Sequence, residues 1–157
     1  MQDGTLPYDP GSTFSAATMG QYPLSAPSVF NFYAPDYEPP GPIGVAGLVG
    51  PEFQILNSVF AITLPNAVYT LLQTGAGRFQ LNIAEQEALA ATPAALVDNV
   101  NLLLTHGTMS TETRAAIQQA VERVTSGMVP SGSNLNQTRV RLAIYLTATS
   151  PDFAVLK

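Results

Sequence analysis

Thr92-Pro93-Ala94-Ala95-Leu96-Val97-Asp98-Asn99-Val100-Asn101-Leu102-Leu103-Leu104-Thr105-His106-Gly107 carries a complete set of helix signals, and the fold class follows from it. Thr92 stands where an N-cap stands, and Pro93 follows at the first helical position, where its missing amide costs nothing. Leu96, Val97, Val100, Leu103 and Leu104 then share one face at helical spacing. Gly107 tolerates the left-handed conformation with which helices stop. The stretch predicts an amphipathic helix whose beginning and end are both written in.

The same grammar extends downstream. Ser110 is placed to cap a second helix, with Glu112 in its first turn near the positive end of the dipole. Ala116, Ile117, Ala120, Val121 and Val124 form its apolar side, and Gly127 is expected to close it. Met128 to Leu135 is rich in Ser, Gly, Pro and Asn and reads as a loop. Asn134 or Asn136 can cap a last helix, in which Val140, Ala143, Ile144 and Thr147 share a face. Ser150-Pro151 ends it, leaving Phe153 and Val155 to pack as a tail.

Upstream, Ala84 to Ala91 predicts a short helix, and the alternation over residues 78–83 reads as extended loop for want of a partner strand. Pro51 and Glu52 open a helical pattern that continues through Phe53, Leu56, Val59 and Phe60. Pro65 is expected to end or kink that helix, since it lacks an amide and crowds the preceding turn. A second stretch, Asn66 to Gln73, would finish at Gly75 or Gly77. The expected fold is all-α: an irregular bundle of about five short helices.

Residues 1–50 differ in character from 51–157. Eight of the 13 prolines lie between Pro7 and Pro42, which disfavours long helices and central strands. A disordered linker is one reading of such composition. Against it stand Phe14, Tyr22, Phe30, Phe32, Tyr33 and Tyr37, which favour an extended strap whose rings dock onto the helical body. The expected organisation is therefore strap 1–50 and helical body 51–157 within one domain.

Composition excludes several function classes. The six Lys and Arg are outnumbered by 11 acids, for a net charge of −5, and they are scattered, so no basic stripe awaits nucleic acid. The absence of cysteine rules out disulfides and thiolate chemistry. No apolar run approaches the roughly 18 residues of a membrane helix; Val59 to Val68 is broken by Thr63, Pro65 and Asn66. Met1-Gln2-Asp3-Gly4 has no basic or apolar leader, so the expectation is a cytoplasmic chain or one whose natural start lies elsewhere. Charged residues are 11% of the chain, about half the usual share. So little charge points to a surface that lies against other protein.

The search for chemistry yields few candidates. His106 stands alone at a helix end, where an imidazolium complements the dipole; capping explains it, with a ligand or catalytic base as the alternative. Glu85 and Glu87 sit two apart on a helix, pointing to different faces, and read as solvated. There is no nucleophile elbow, no phosphate-binding loop lysine and no set of residues for a metal, so no cofactor is expected. The densest constellation is Ser28-Val29-Phe30-Asn31-Phe32-Tyr33-Ala34-Pro35-Asp36-Tyr37-Glu38-Pro39-Pro40-Gly41. Its rings either anchor the strap, with Asn31 bonding turn backbone, or form an aromatic binding surface for carbohydrate or a proline-rich peptide. The candidate binding residues are Phe30, Asn31, Tyr33, Tyr37, Glu52 and His106; none is assigned as catalytic.

Pro27-Ser28-Val29-Phe30-Asn31-Phe32-Tyr33, Pro35-Asp36-Tyr37 and Pro40-Gly41 also resemble a hallmark of the bacterial family called domain of unknown function 1800. The likeness continues through Ala46-Gly47-Leu48-Val49 and Pro51-Glu52-Phe53-Gln54-Ile55. It ends with Arg139-Val140-Arg141-Leu142-Ala143-Ile144-Tyr145-Leu146 and Ser150-Pro151-Asp152-Phe153-Ala154-Val155. The resemblance implies the carboxyl-terminal part of a longer protein, with a role in the cell envelope or in secretion, and carries no catalytic residues with it. Two functions follow as expectations. The first is a structural or interaction module whose partner is an amino-terminal region of the same protein or a homo-oligomer. The second is an accessory part of an envelope-polymer hydrolase, in which Asn31, Tyr33, Glu52 or His106 would converge in a cleft.

Overall fold

The computed structural model describes residues 20, 21, 26–55, 57–74 and 81–154. The described chain is helical and contains no strand beyond an isolated bridge between Ser28 and Asn31. By proximity it divides into two compact units, residues 1–80 and 81–157. The strap boundary expected after residue 50 falls inside the first.

The second unit holds most of the helical order. Helices α3 (Ala84–Leu89), α4 (Pro93–Thr105), α5 (Thr111–Glu122), α6 (Leu135–Ala148) and α7 (Pro151–Ala154) follow one another, with a 3-10 turn at Ser126–Met128. Helices α4, α5 and α6 pack mutually; α3 lies against α4 and α6, and α7 against the same pair. No residue of α6 is fully exposed, as befits the helix that every other one touches. The core is Leu96, Val97 and Val100 of α4, Ile117 and Val121 of α5, and Val140 and Ala143 of α6, with Ala90 and Met109 beside them. Each large member contributes about 1.5–3 kcal/mol by leaving water.

Local chemistry sets the helix starts. Ser110 Oγ accepts the Thr113 amide at 3.2 Å, and Asn134 Oδ1 accepts the Gln137 amide at 2.8 Å; of the two asparagines considered, Asn134 is the cap. Thr92 occupies the N-cap of α4 in extended conformation, but its side chain makes no capping bond. Four expectations need correction. Leu103 is 56% exposed, because the chain folds back at Met109 and the buried side of the last turn belongs to Thr105, two residues on and so on the opposite side. Ala116 is exposed, lying about 100° round the helix from Ile117 on a stripe narrowed to Ile117, Val121 and Val124. Helix α5 stops at Glu122 rather than at Gly127, which sits within the 3-10 turn. Phe153 is 46% exposed on the helical turn α7 and does not pack as a tail; Val155 lies outside the described residues.

The first unit contains α1 (Pro42–Val45), a 3-10 turn at Pro51–Gln54 and α2 (Phe60–Thr74). Helix α1 ends in a Schellman motif: the Gly47 amide donates to the Gly44 carbonyl at 2.9 Å and the Leu48 amide to the Ile43 carbonyl at 3.1 Å. Gly47 takes the positive φ of 66° that this closure needs. Gly44 allows close approach, since a Cβ there would stand 2.5 Å from the Pro39 carbonyl oxygen. The strap is tied down by the Ala34 amide donating to Gln54 Oε1 at 2.7 Å and the Gly50 amide donating to the Tyr37 carbonyl at 2.9 Å.

The helix expected from Pro51 to Pro65 is not formed as one piece. After the 3-10 turn, Asn57 Oδ1 accepts the amides of Val59 at 3.0 Å and Phe60 at 3.1 Å, and its carbonyl accepts the Ala61 amide at 2.9 Å. This cap starts a new helix, and Pro65 lies inside it rather than ending it. Proline there deprives one carbonyl, that of Ala61, of its donor. The apolar face carrying buried Ala67 and Leu72 holds the helix together past that loss. The finish expected at Gly75 or Gly77 lies outside the described residues.

Candidate functional site

Five of the six candidate residues lie in the first unit and His106 in the second. Val29 and Phe30 form the tip of a turn that Asn31 closes, its amide donating to the Ser28 carbonyl at 3.1 Å. Asn31 is left-handed, with φ 68°, a conformation asparagine accepts more readily than most residues. Its part in the turn is therefore played by backbone, not by the side-chain bond expected. Phe30 is 62% exposed, whereas Phe32, Tyr33 and Tyr37 are half-buried. Phe14 and Tyr22 lie outside the described residues. Glu52 is exposed in the first turn of the 3-10 helix, and the Ala34–Gln54 bond brings that turn beside the aromatic segment. Among the described residues no hydrogen bond joins the side chains of Asn31, Tyr33, Glu52 or His106 to one another.

His106 ends α4 in left-handed conformation, with φ 53° and ψ 27°, and Gly107 follows with φ 80°. The stop assigned to Gly107 is thus shared by two residues. The exposed imidazole sits at the negative end of α4, where a positive charge is favoured.

Three polar centres in the second unit escaped the sequence reading. Asn101 organises the exit of α4: its carbonyl accepts the Gly107 amide at 3.1 Å, and its Oδ1 accepts the Met109 amide at 3.1 Å and lies 2.6 Å from the buried Thr105 hydroxyl. Asp152, buried on α7, accepts the Ser110 amide at 3.2 Å and the Ser110 hydroxyl at 2.8 Å. A carboxylate is well placed at the positive end of α5, where free amides await an acceptor. Arg139 on α6 donates to the Ala90 carbonyl at 3.2 Å and the Val124 carbonyl at 3.4 Å. Those carbonyls mark the ends of α3 and α5, so one guanidinium complements two negative helix termini; its Nε is buried without a partner. No local signal could have found these, because each partner is remote in sequence or hidden in an ordinary helix.

The Arg114 Nε donates to Asp98 Oδ1 at 2.6 Å. This hydrogen bond, reinforced by the opposite charge, holds the Asp98 carboxyl below its ordinary value of 3.8 against a smaller upward push from desolvation, and raises Arg114 in turn. Both side chains remain solvated, so the pair staples α4 to α5 without forming a reactive site. Among the described residues no three His, Asp or Glu side chains gather as a metal would require. No described helix is long and apolar enough to cross a membrane.

What the geometry offers is apolar surface. Val29, Val45, Leu48 and Val49 are 95%, 90%, 59% and 56% exposed, and all lie, like Phe30, in the first unit. The family described as protein of unknown function (DUF1800) matches residues 9–155. No curated protein and no solved structure matches the chain.

Proposed function

On the premise that this chain belongs to the DUF1800 family of proteins of unknown function, we propose that it serves as a helical interaction module. Its strap docks onto an amino-terminal region of the longer, exported protein that the family resemblance implies. The observation that carries this reading is the outward display of Val29, Phe30, Val45, Leu48 and Val49. Large side chains held in water by ordered turns gain about 25 cal/mol per Å² when another surface covers them, and such clusters mark contact sites. The acids Asp36, Glu38 and Glu52 border the same segment and would set the rim. The hydrolase alternative needs its polar groups to converge on substrate, and no bond among the described residues supports that.

The test supplies the amino-terminal region as a separate polypeptide and titrates it with this chain by calorimetry. Binding in the micromolar range, near −8 kcal/mol, is expected, with a negative heat-capacity change. Val45→Asp or Leu48→Asp should weaken it at least about tenfold, or 1.4 kcal/mol. Absence of binding, or indifference to both substitutions, removes the reading.

A further inference from the structure

The exposed surface of the strap has a chemistry that narrows what can cover it. The Gly50 amide donates to the Tyr37 carbonyl at 2.9 Å, and this one bond draws two short stretches together. Asp36 and Glu38 flank Tyr37 on one stretch; Leu48, Val49 and Glu52 stand within two residues of Gly50 on the other. Glu38 also lies beside α1, its Cβ 4.0 Å from where a Cβ on Gly44 would stand, and Val45 is the next residue of that helix. Val45, Leu48 and Val49 are exposed large apolar side chains, and the three acids are exposed as well. Among the described residues none of the three carboxylates is in an ion pair. The patch thus interleaves apolar side chains with unpaired carboxylates.

Charge decides between occupants. The first unit holds five acids, Asp3, Asp9, Asp36, Glu38 and Glu52, against Arg78 alone, and so carries −4 of the chain's net −5. A second copy would set like charge on like, and an anionic bilayer or a nucleic acid would be repelled. Among the described residues no three carboxylates gather as a metal ion would need. Lysine and arginine satisfy both parts of the patch at once. Their aliphatic stems cover apolar side chains while the charged head reaches a carboxylate, and a guanidinium can hold that carboxylate through two bonds. We infer that this patch is covered by a basic amphipathic protein segment, apolar along one face and edged with lysine and arginine that meet Asp36, Glu38 and Glu52.

The inference rests on the interaction reading above and adds to it the chemistry of the partner. Exposed charge pairs contribute little affinity each. Their effect falls on the rate of encounter, which opposite charge accelerates and salt screens. The apolar contacts form after encounter and act on dissociation instead.

The test measures association and dissociation of the whole chain on the immobilised amino-terminal region, in about 0.1 M and about 1 M sodium chloride. The screening length falls between them from about 10 to about 3 Å. Association should slow at least about tenfold with salt, and dissociation should barely change. Combining Asp36→Asn, Glu38→Gln and Glu52→Gln should slow association at low salt and remove most of the salt dependence. Glu85→Gln, at an exposed acid of the second unit, should change neither. Leu48→Ser should speed dissociation and leave the salt dependence intact. Binding indifferent to salt and to the triple substitution overturns the inference and leaves the interaction reading standing. Two synthetic helical peptides with the same leucine face, one edged with lysine and one with glutamate, separate the two claims when the amino-terminal region does not bind. Capture of the lysine peptide alone, lost in Leu48→Ser and in the triple variant, keeps the basic partner and discards the amino-terminal region as its source. Capture of neither peptide, or of both equally, overturns the inference.

Discussion

At the scale of single residues, the consequential side chains are those that serve backbone far away in sequence. Arg139 reaches carbonyls 49 and 15 residues off, and Asp152 reaches Ser110 across 42. Sequence pattern shows Arg139 only as one polar residue on a helix, since nothing near it reveals which helix ends converge there. For the same reason Asn101 looked like an unremarked polar position on α4. Replacing Arg139 with methionine keeps length and packing but strands two carbonyls. The expected cost is about 2 kcal/mol, measured as a fall in the urea midpoint. Arg139→Lys should recover only part of it, because a point charge cannot serve both carbonyls as a planar fork does.

At the scale of elements, helix starts in the second unit were legible because caps are local. Ser110 and Asn134 needed only their next three residues to be read, and Thr92-Pro93 gave the start of α4 even though the threonine hydroxyl makes no capping bond. The first unit was harder. Pro51 and Pro65 looked like the two ends of one helix, whereas Asn57 captured the first-turn amides of another. The competing signal was present, an asparagine before an apolar run, but proline spoke louder in the pattern. Asn57→Ala is therefore expected to destabilise the chain by about 1 kcal/mol and to reduce helical ellipticity, and Pro65→Ala to increase it. An Asn57→Ala protein indistinguishable from the parent would mean that α2 starts by some other means.

At the scale of the whole molecule, the all-α class followed from periodicity, and the character of the chain as acidic and poor in charge followed from composition. The candidate site was only half legible: aromatic density located the strap, but not that Phe30 points outward while Phe32, Tyr33 and Tyr37 are half-buried. Orientation depends on turn geometry, here the left-handed Asn31, which composition does not encode. The charge that exists makes a pH prediction possible. Because Asp98 titrates below its ordinary value of 3.8 when folded, its pairing stabilises the protein above that value. The contribution is lost as pH falls through the lower, folded value. Asp98→Asn should thus lower thermal stability slightly at neutral pH, a small effect because the pair is solvated, and the difference between the two melting curves should vanish once the carboxyl is protonated in acid. Curves that stay apart in acid would show that the substitution acts through something other than ionisation.

The bond between Asp152 and Ser110 also governs the order of events during synthesis. Helix α5 can form as soon as it leaves the ribosome, but its leading amide and capping hydroxyl lack their carboxylate until 42 more residues have followed. At about 5–20 residues per second, that delay lasts seconds, far longer than the microseconds in which helices form. The second unit therefore waits, partly built, for a late residue to close it, and a nascent chain stalled before Asp152 would present an incompletely locked helix to chaperones and proteases.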